Sequence, residues 1–222
     1  MTDHISWRQF RESEGVDDWR NLSGGATTMF RTRSFSAATR FAAAIGAMPG
    51  VEHHRPAIDI RDEGVTVQLL TVTETYRGMS QPDVDLAREI SALARQHGLV
   101  PDPTAVQSLQ VYVGTPADAN VLPFWRALLA YEGAPGDSDE GVLDPQGRGP
   151  AFWVERMEEA RAGGGGAIHI AIWVPYEQAE ALVAAALAAG GRLVRDEFAP
   201  AWWTLADAAG NEADISTTMG RD

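Results

Sequence analysis

The chain has 222 residues, of which 45% are apolar, and a formal net charge of −13. It has no cysteine, and all 18 basic residues are arginine. Disulfides, thiolate nucleophiles, cysteine zinc sites and Schiff-base lysines are therefore excluded. So acidic a chain repels phosphate backbones, so nucleic acid is not an expected partner. No apolar run approaches the roughly 20 residues of a membrane span. The start, Met1 to Trp7, is neither basic nor apolar, so the expected compartment is the cytoplasm.

In chain order, Thr28 to Arg33 alternates like a strand. Ser34 then caps a helix in which Ala38, Phe41, Ala42 and Ile45 make one buried face, and Pro49-Gly50 ends it. Ile58 to Asp62 and Val65 to Thr73 read as a hairpin turning at Asp62-Glu63-Gly64. Within it Val65, Val67 and Leu69 point to one side. Ser80-Gln81-Pro82-Asp83 opens a second helix, with the Asp83 carboxylate at its positive end. Leu86, Ile90, Leu93 and Ala94 form its apolar face, and Gly98 closes it. Pro101-Asp102-Pro103 cannot continue a helix, and marks the expected boundary between domains at 1–103 and 104–222.

The second half contains an internal repeat. Strand Leu109 to Val113 and Thr115-Pro116 superpose without a gap on strand Ile168 to Ile172 and Val174-Pro175, and an apolar helix follows each, through Trp125 and through Leu182. Gln110 thereby falls on His169. Short strands follow each helix: Gly141 to Asp144 and Ala151 to Glu155, then Arg192 to Asp196, Trp202 to Ala206 and Asn211 to Ser216. Each repeat reads as βαβββ, so the expected class is α+β throughout. Gly163 to Gly166 reads as a flexible joint.

Two groups of residues carry chemistry. His53 and His54 are adjacent near the hairpin, and neutral and protonated imidazoles together move protons near pH 7. The plainer reading is two surface histidines in a polar turn. His169 lies on an apolar strand, where a core histidine bonded to backbone is the plainer reading. Trp153, Trp173, Trp202 and Trp203 can serve as core or as pocket walls.

The run Trp19, Phe30 to Phe35, Phe41, His53-His54-Arg55-Pro56, Ile58 to Arg61, Val65 to Val67, Gly78-Met79-Ser80 and Asp83 to Ala87 resembles pterin-4a-carbinolamine dehydratase. The resemblance implies an antiparallel sheet with helices on one face, dimers or tetramers, and lyase activity on a pterin. It implies His53 and His54 as proton-transfer residues and Arg55 and Pro56 as substrate contacts. The chain departs from the family's His-His-Pro-acid run: Arg55 intervenes, so the first histidine aligns with His53 or His54, and Ala57 stands at the acidic position. The family's third histidine falls on Val72 or Glu74, and Glu74 is the candidate proton acceptor.

Pro123 to Leu129, Leu143-Asp144-Pro145, Gly149-Pro150, His169 and Asp207 to Glu212 resemble the glyoxalase-like branch of the vicinal oxygen chelate superfamily. That resemblance implies paired βαβββ units, as in bleomycin-resistance folds, curling around a divalent metal. Its ligands here would be Gln110, His169 and Glu212, with Glu155 the only oxygen ligand near the fourth position. Trp173 and Trp202 would contact substrate. Three functions are open: a pterin dehydratase with a fused small-molecule-binding domain, a non-catalytic binding protein using the first half as a dimer scaffold, and a metal-dependent lyase, isomerase or dioxygenase.

Overall fold

The computed structural model describes residues 4–54, 56–116, 122–134, 140–157, 168–206 and 212–221. Arg55, the four-glycine run and the stretch 207–211 lie outside the described residues. The chain divides into two compact units, Met1–Val106 with Arg221–Asp222, and Gln107–Gly220.

The first unit runs β1 (His4–Ile5), α1 (Trp7–Glu12), β2 (Arg20–Leu22), β3 (Gly25–Arg31), α2 (Phe35–Gly46), α3 (Val51–His54), β4 (Ala57–Arg61), β5 (Gly64–Leu69), β6 (Thr71–Val72), β7 (Arg77–Ser80), α4 (Gln81–Gln96) and β8 (Val100–Pro101). Strands β2-β3-β5-β4 form an antiparallel sheet, with β8 also paired to β3; β1-β7-β6 form a smaller one. Alternation puts Ala26, Phe30, Val65, Val67 and Leu69 on one face. That face packs on Phe41 and Ile45 of α2 and Val84, Ala87 and Ile90 of α4, all within one core. Trp19 lies in the same core and donates its indole N–H to Ser91 Oγ at 3.1 Å.

Ser34 caps α2 by accepting from Ala37 N at 3.2 Å. Gly98 closes α4 at φ +67°, a conformation that disfavours a side chain. Sequence patterning does not reveal β1, α1, β2 or α3, because each is too short to show a period.

The expected link at Pro101-Asp102-Pro103 is part of the first unit. Val100 and Pro101 pair with Arg31 and Phe30. Asp102 N donates to Met29 O at 2.7 Å, and the Arg31 guanidinium meets Asp102 Oδ2 at 2.9 Å. The Thr104 hydroxyl and Arg31 together hold the Asp102 carboxyl below its ordinary range. A depressed folded value means that the contribution to stability is complete above the ordinary aspartate value of about 4 and is lost as pH falls through the lower folded one. Asp102→Asn is expected to flatten the acid limb of the unit's stability, measured by urea melts from neutral pH downward. An unchanged acid limb would show that the pair is inert.

The second unit runs β9 (Ser108–Pro116), α5 (Leu122–Leu129), β10 (Glu132–Gly133), β11 (Gly141–Leu143), β12 (Ala151–Met157), β13 (Ile168–Trp173), α6 (Tyr176–Ala188), β14 (Arg192–Arg195), β15 (Trp202–Ala206) and β16 (Glu212–Ser216). One eight-stranded sheet has the order β10-β11-β12-β9-β13-β16-β15-β14. The first strands of the two repeats, β9 and β13, meet antiparallel at its centre. Each is flanked by the last strand of its own repeat, running parallel. This is the paired βαβββ arrangement expected from the repeat. Ala179, Leu182, Val183 and Ala186 of α6 pack on Ile172, Trp203, Leu205 and Ile215. Trp125 of α5 packs on Phe152, with ring centroids 5.2 Å apart. Both helices thus cover one face.

Helix α5 ends in a Schellman-type turn, Tyr131 N donating to Arg126 O at 3.1 Å, with Ala130 at φ 54°. That position favours glycine because a Cβ is strained there. Ala130→Gly is expected to stabilise the unit by up to about 1 kcal/mol, read as a higher denaturant midpoint. A lower midpoint would contradict the turn.

Candidate functional sites

In the first unit His53 and His54 form the last turn of α3, one residue before the undescribed Arg55 and two before Pro56, which leads into β4. His53 is exposed; His54 and Pro56 are half-buried. Among the described residues neither imidazole makes a hydrogen bond, ion pair or ring contact. Among the described residues, then, neither ring has a polar or aromatic partner, and His54 is half-buried.

Glu74 lies in the turn between β6 and β7. Thr73 N donates to Tyr76 O at 2.8 Å, closing a tight turn between β6 and β7. Glu74 sits exposed in that turn, and among the described residues its side chain makes no hydrogen bond or ion pair. Val72 lies on strand β6, and Glu74 lies beyond the end of that strand. Val72 is 57% exposed and has no proton to give.

In the second unit the candidate side chains lie on the face that the helices leave uncovered. Strand alternation and register put Gln110 and Tyr112 of β9, Trp153 and Glu155 of β12, His169 and Trp173 of β13, Asp214 of β16 and Trp202 and Thr204 of β15 on that side. Gln110 is buried, and its Oε1 accepts from both Tyr112 Oη and Trp173 Nε1, each at 2.9 Å. The His169 ring stacks on Tyr112 at 5.1 Å. Its Nδ1 lies 3.5 Å from Glu155 Oε2, and its Nε2 lies 3.4 Å from Asp214 Oδ2. Thr204 Oγ1 donates to the other Asp214 oxygen at 2.7 Å. Glu212 lies 4.0 Å from Arg195. Trp202 stacks on Phe198 at 4.2 Å.

Gln110, His169 and Glu212 thus share a face, but the geometry does not converge them on a metal. The Gln110 oxygen already accepts two donors. The two imidazole nitrogens face different carboxylates on opposite sides of the ring, and neither of these is Glu212. Among the described residues no group of three His, Asp or Glu side chains is placed to hold a metal. Among the described residues, Gln110, His169 and Glu212 are not gathered on one point.

Asp214 escaped sequence reasoning. Glu212 matched the motif, but Asp214 shares its face two residues on and is the acid that reaches His169. Glu155, out of place as a fourth ligand, is the other.

Residues 5–93 match the family model described as pterin 4 alpha carbinolamine dehydratase, and residues 110–216 match the model described as glyoxalase-like domain. The chain is a fusion of a dehydratase-like domain with a glyoxalase-like domain. The dehydratase-like match includes α3 and its histidines; the glyoxalase-like match covers both βαβββ repeats. No curated protein matches the chain. One similar solved structure is described as an NAD-dependent benzaldehyde dehydrogenase from Legionella pneumophila, with 15% identity over 50% of this chain and 97% of that one. Its TM-score of 0.35 is too low to carry an argument. Among the described residues no helix is long and apolar enough to cross a membrane.

Proposed function

We propose that the dehydratase-like unit removes water from a pterin 4a-carbinolamine. The observation that carries this reading is the adjacent His53–His54 pair at the end of α3, leading into β4 inside the matched region. One histidine, as imidazolium, protonates the hydroxyl that leaves C4a as water. The other, neutral, takes the proton from the adjacent ring N–H, and a C=N bond forms. The two proton transfers balance, so the pair can return to its starting state. Arg55 stays protonated near pH 7, so it would serve as a substrate contact and not as acid or base.

His54→Ala is expected to slow the dehydration of a 4a-hydroxytetrahydropterin by about a hundredfold, the low end for a positioned acid–base group. A rate equal to that of the unaltered protein removes the mechanism. A homodimer belongs to this reading, and light scattering in solution would test it.

A second reading concerns the glyoxalase-like unit, which we take to bind a small molecule on its helix-free face. The polar and aromatic residues gathered there support it, since a sheet face serving only as core is lined with aliphatic side chains.

A further inference from the structure

Both helices of the second unit pack on one face of its sheet, yet they leave part of the middle of that face exposed. Helix α5 packs on β11 and β12, and α6 packs on β15 and β16. The two central strands, β9 and β13, lie between them. Val111 is paired with Phe152 and with Ile170, and Leu109 with Ile172, so all of these face the helix side. There Leu109, Ile168 and Ile170 are 44%, 47% and 41% exposed. The repeat puts Leu109 and Ile168 at equivalent positions, and likewise Val111 and Ile170. These four make an apolar strip with its own approximate two-fold symmetry. It carries no charge, in a chain of net charge −13.

The space above the strip has the width of one more helix. From midway between β11 and β12 to midway between β16 and β15 is four strand spacings, about 19 Å. Packed helices lie about 8–10 Å apart, so a single helix fits between α5 and α6. Its lower side must be apolar to meet Leu109, Ile168 and Ile170. Helix α6 itself has that property. Beyond Glu180 it carries no polar residue. Ala179, Leu182, Val183 and Ala186 pack on its own sheet, whereas Ala181, Ala184, Ala185 and Ala188 are exposed. A helix apolar all round is ordinarily buried all round, and small side chains interdigitate with the branched ones of the strip. Charge selects the neighbouring helix. Arg126 is exposed on α5, and Glu180 is exposed one turn before Ala184. Among the described residues neither side chain has a polar partner.

We propose that this face is a homodimer interface, in which α6 of one chain seats on the β9–β13 strip of a second copy. A two-fold axis makes the contact reciprocal. One layer of four helices then lies between the two sheets, in the order α5, the partner's α6, α6, the partner's α5. Arg126 on α5 lies beside Glu180 of the partner subunit, and the two-fold repeats the pair. A single helix seat is small against the roughly 800 Å² per partner of a stable interface; the two-fold supplies two seats and an α6–α6 contact. The helix-free face stays open, so this interface is independent of both readings above. It is also a different contact from a dimer made through the dehydratase-like unit.

Sedimentation velocity of the full chain over a range of concentrations tests the interface. The unaltered protein is expected to self-associate. Ile170→Asp, which buries two unpaired carboxylates per dimer, is expected to weaken association at least about a hundredfold. Arg126→Glu, at an exposed position, is expected to weaken it about tenfold, and Glu180→Arg in the same chain to restore it. Where the dehydratase-like unit associates as well, the same variants take four chains to two. A monomer at every concentration, or association that Ile170→Asp leaves intact, overturns the interface. No weakening by Arg126→Glu, or a weakening that Glu180→Arg does not reverse, overturns α6 as the occupant.

Discussion

Phe30→Ala is expected to destabilise the dehydratase-like unit by about 3–5 kcal/mol, the range for emptying a buried phenylalanine site. Phe30 is fully buried near the end of β3, the strand that pairs with β2, β5 and β8. Its ring meets Trp19 edge-on at 6.4 Å and Phe41 edge-on at 5.3 Å. Such aromatic pairs add about 0.5–1.5 kcal/mol each beyond the area they bury. The cavity would lie between sheet and helices, where neither Trp19, tied to Ser91, nor Phe41, fixed on α2, is placed to collapse into it. Urea unfolding monitored by tryptophan fluorescence gives the number. A loss below about 1.5 kcal/mol would place it with mild core trimming, and Phe30 would not be the keystone its contacts describe.

Asp83→Ala is expected to cost about 2–4 kcal/mol, combining a lost helix cap with stranded donors. Asp83 is 1% exposed. A single oxygen, Oδ2, accepts from Ser80 N at 2.8 Å, Ser80 Oγ at 2.9 Å and Thr71 Oγ1 at 2.7 Å. The first of these bonds caps α4; the last ties that helix to β6. Alanine leaves all three donors without this acceptor in a water-poor place. Asp83→Asn keeps one carbonyl oxygen and is expected to recover about half the loss, because the bonds become neutral ones of lower strength. Equal losses for the two variants would show that charge, and not acceptor geometry, holds the junction.

Asp83 also shows what patterning reveals and what it hides. Ser80-Gln81-Pro82-Asp83 announces a helix start, and a helix starts there. The bond to Thr71 was not legible, since nothing local ties residue 71 to residue 83. The same division runs through the candidate sites. His53-His54 stands out as a pair in sequence, but only the fold places it at the end of a short helix leading into β4. Glu74 looked like a proton acceptor because it follows the hairpin strand; the turn closed by Thr73 and Tyr76 carries it away from strand geometry. In the second half the repeat put Gln110 in line with His169, and both do lie on one face. Whether they converge depended on side-chain partners across strands, and those partners turned Gln110 toward Tyr112 and Trp173.

The sequence by itself determined the two-part organisation, the α+β class, the capped helices and the paired βαβββ order. These follow from short-range rules: apolar period, capping residues and turn-forming glycine and proline. Strand register decided the rest. It set Glu155 and Asp214 on either side of His169, left Glu212 toward Arg195, and joined Val100-Pro101 to the first sheet. Register is fixed by pairings between residues far apart in the chain, and a side chain's role at a site follows from its neighbours across strands, which no local pattern encodes.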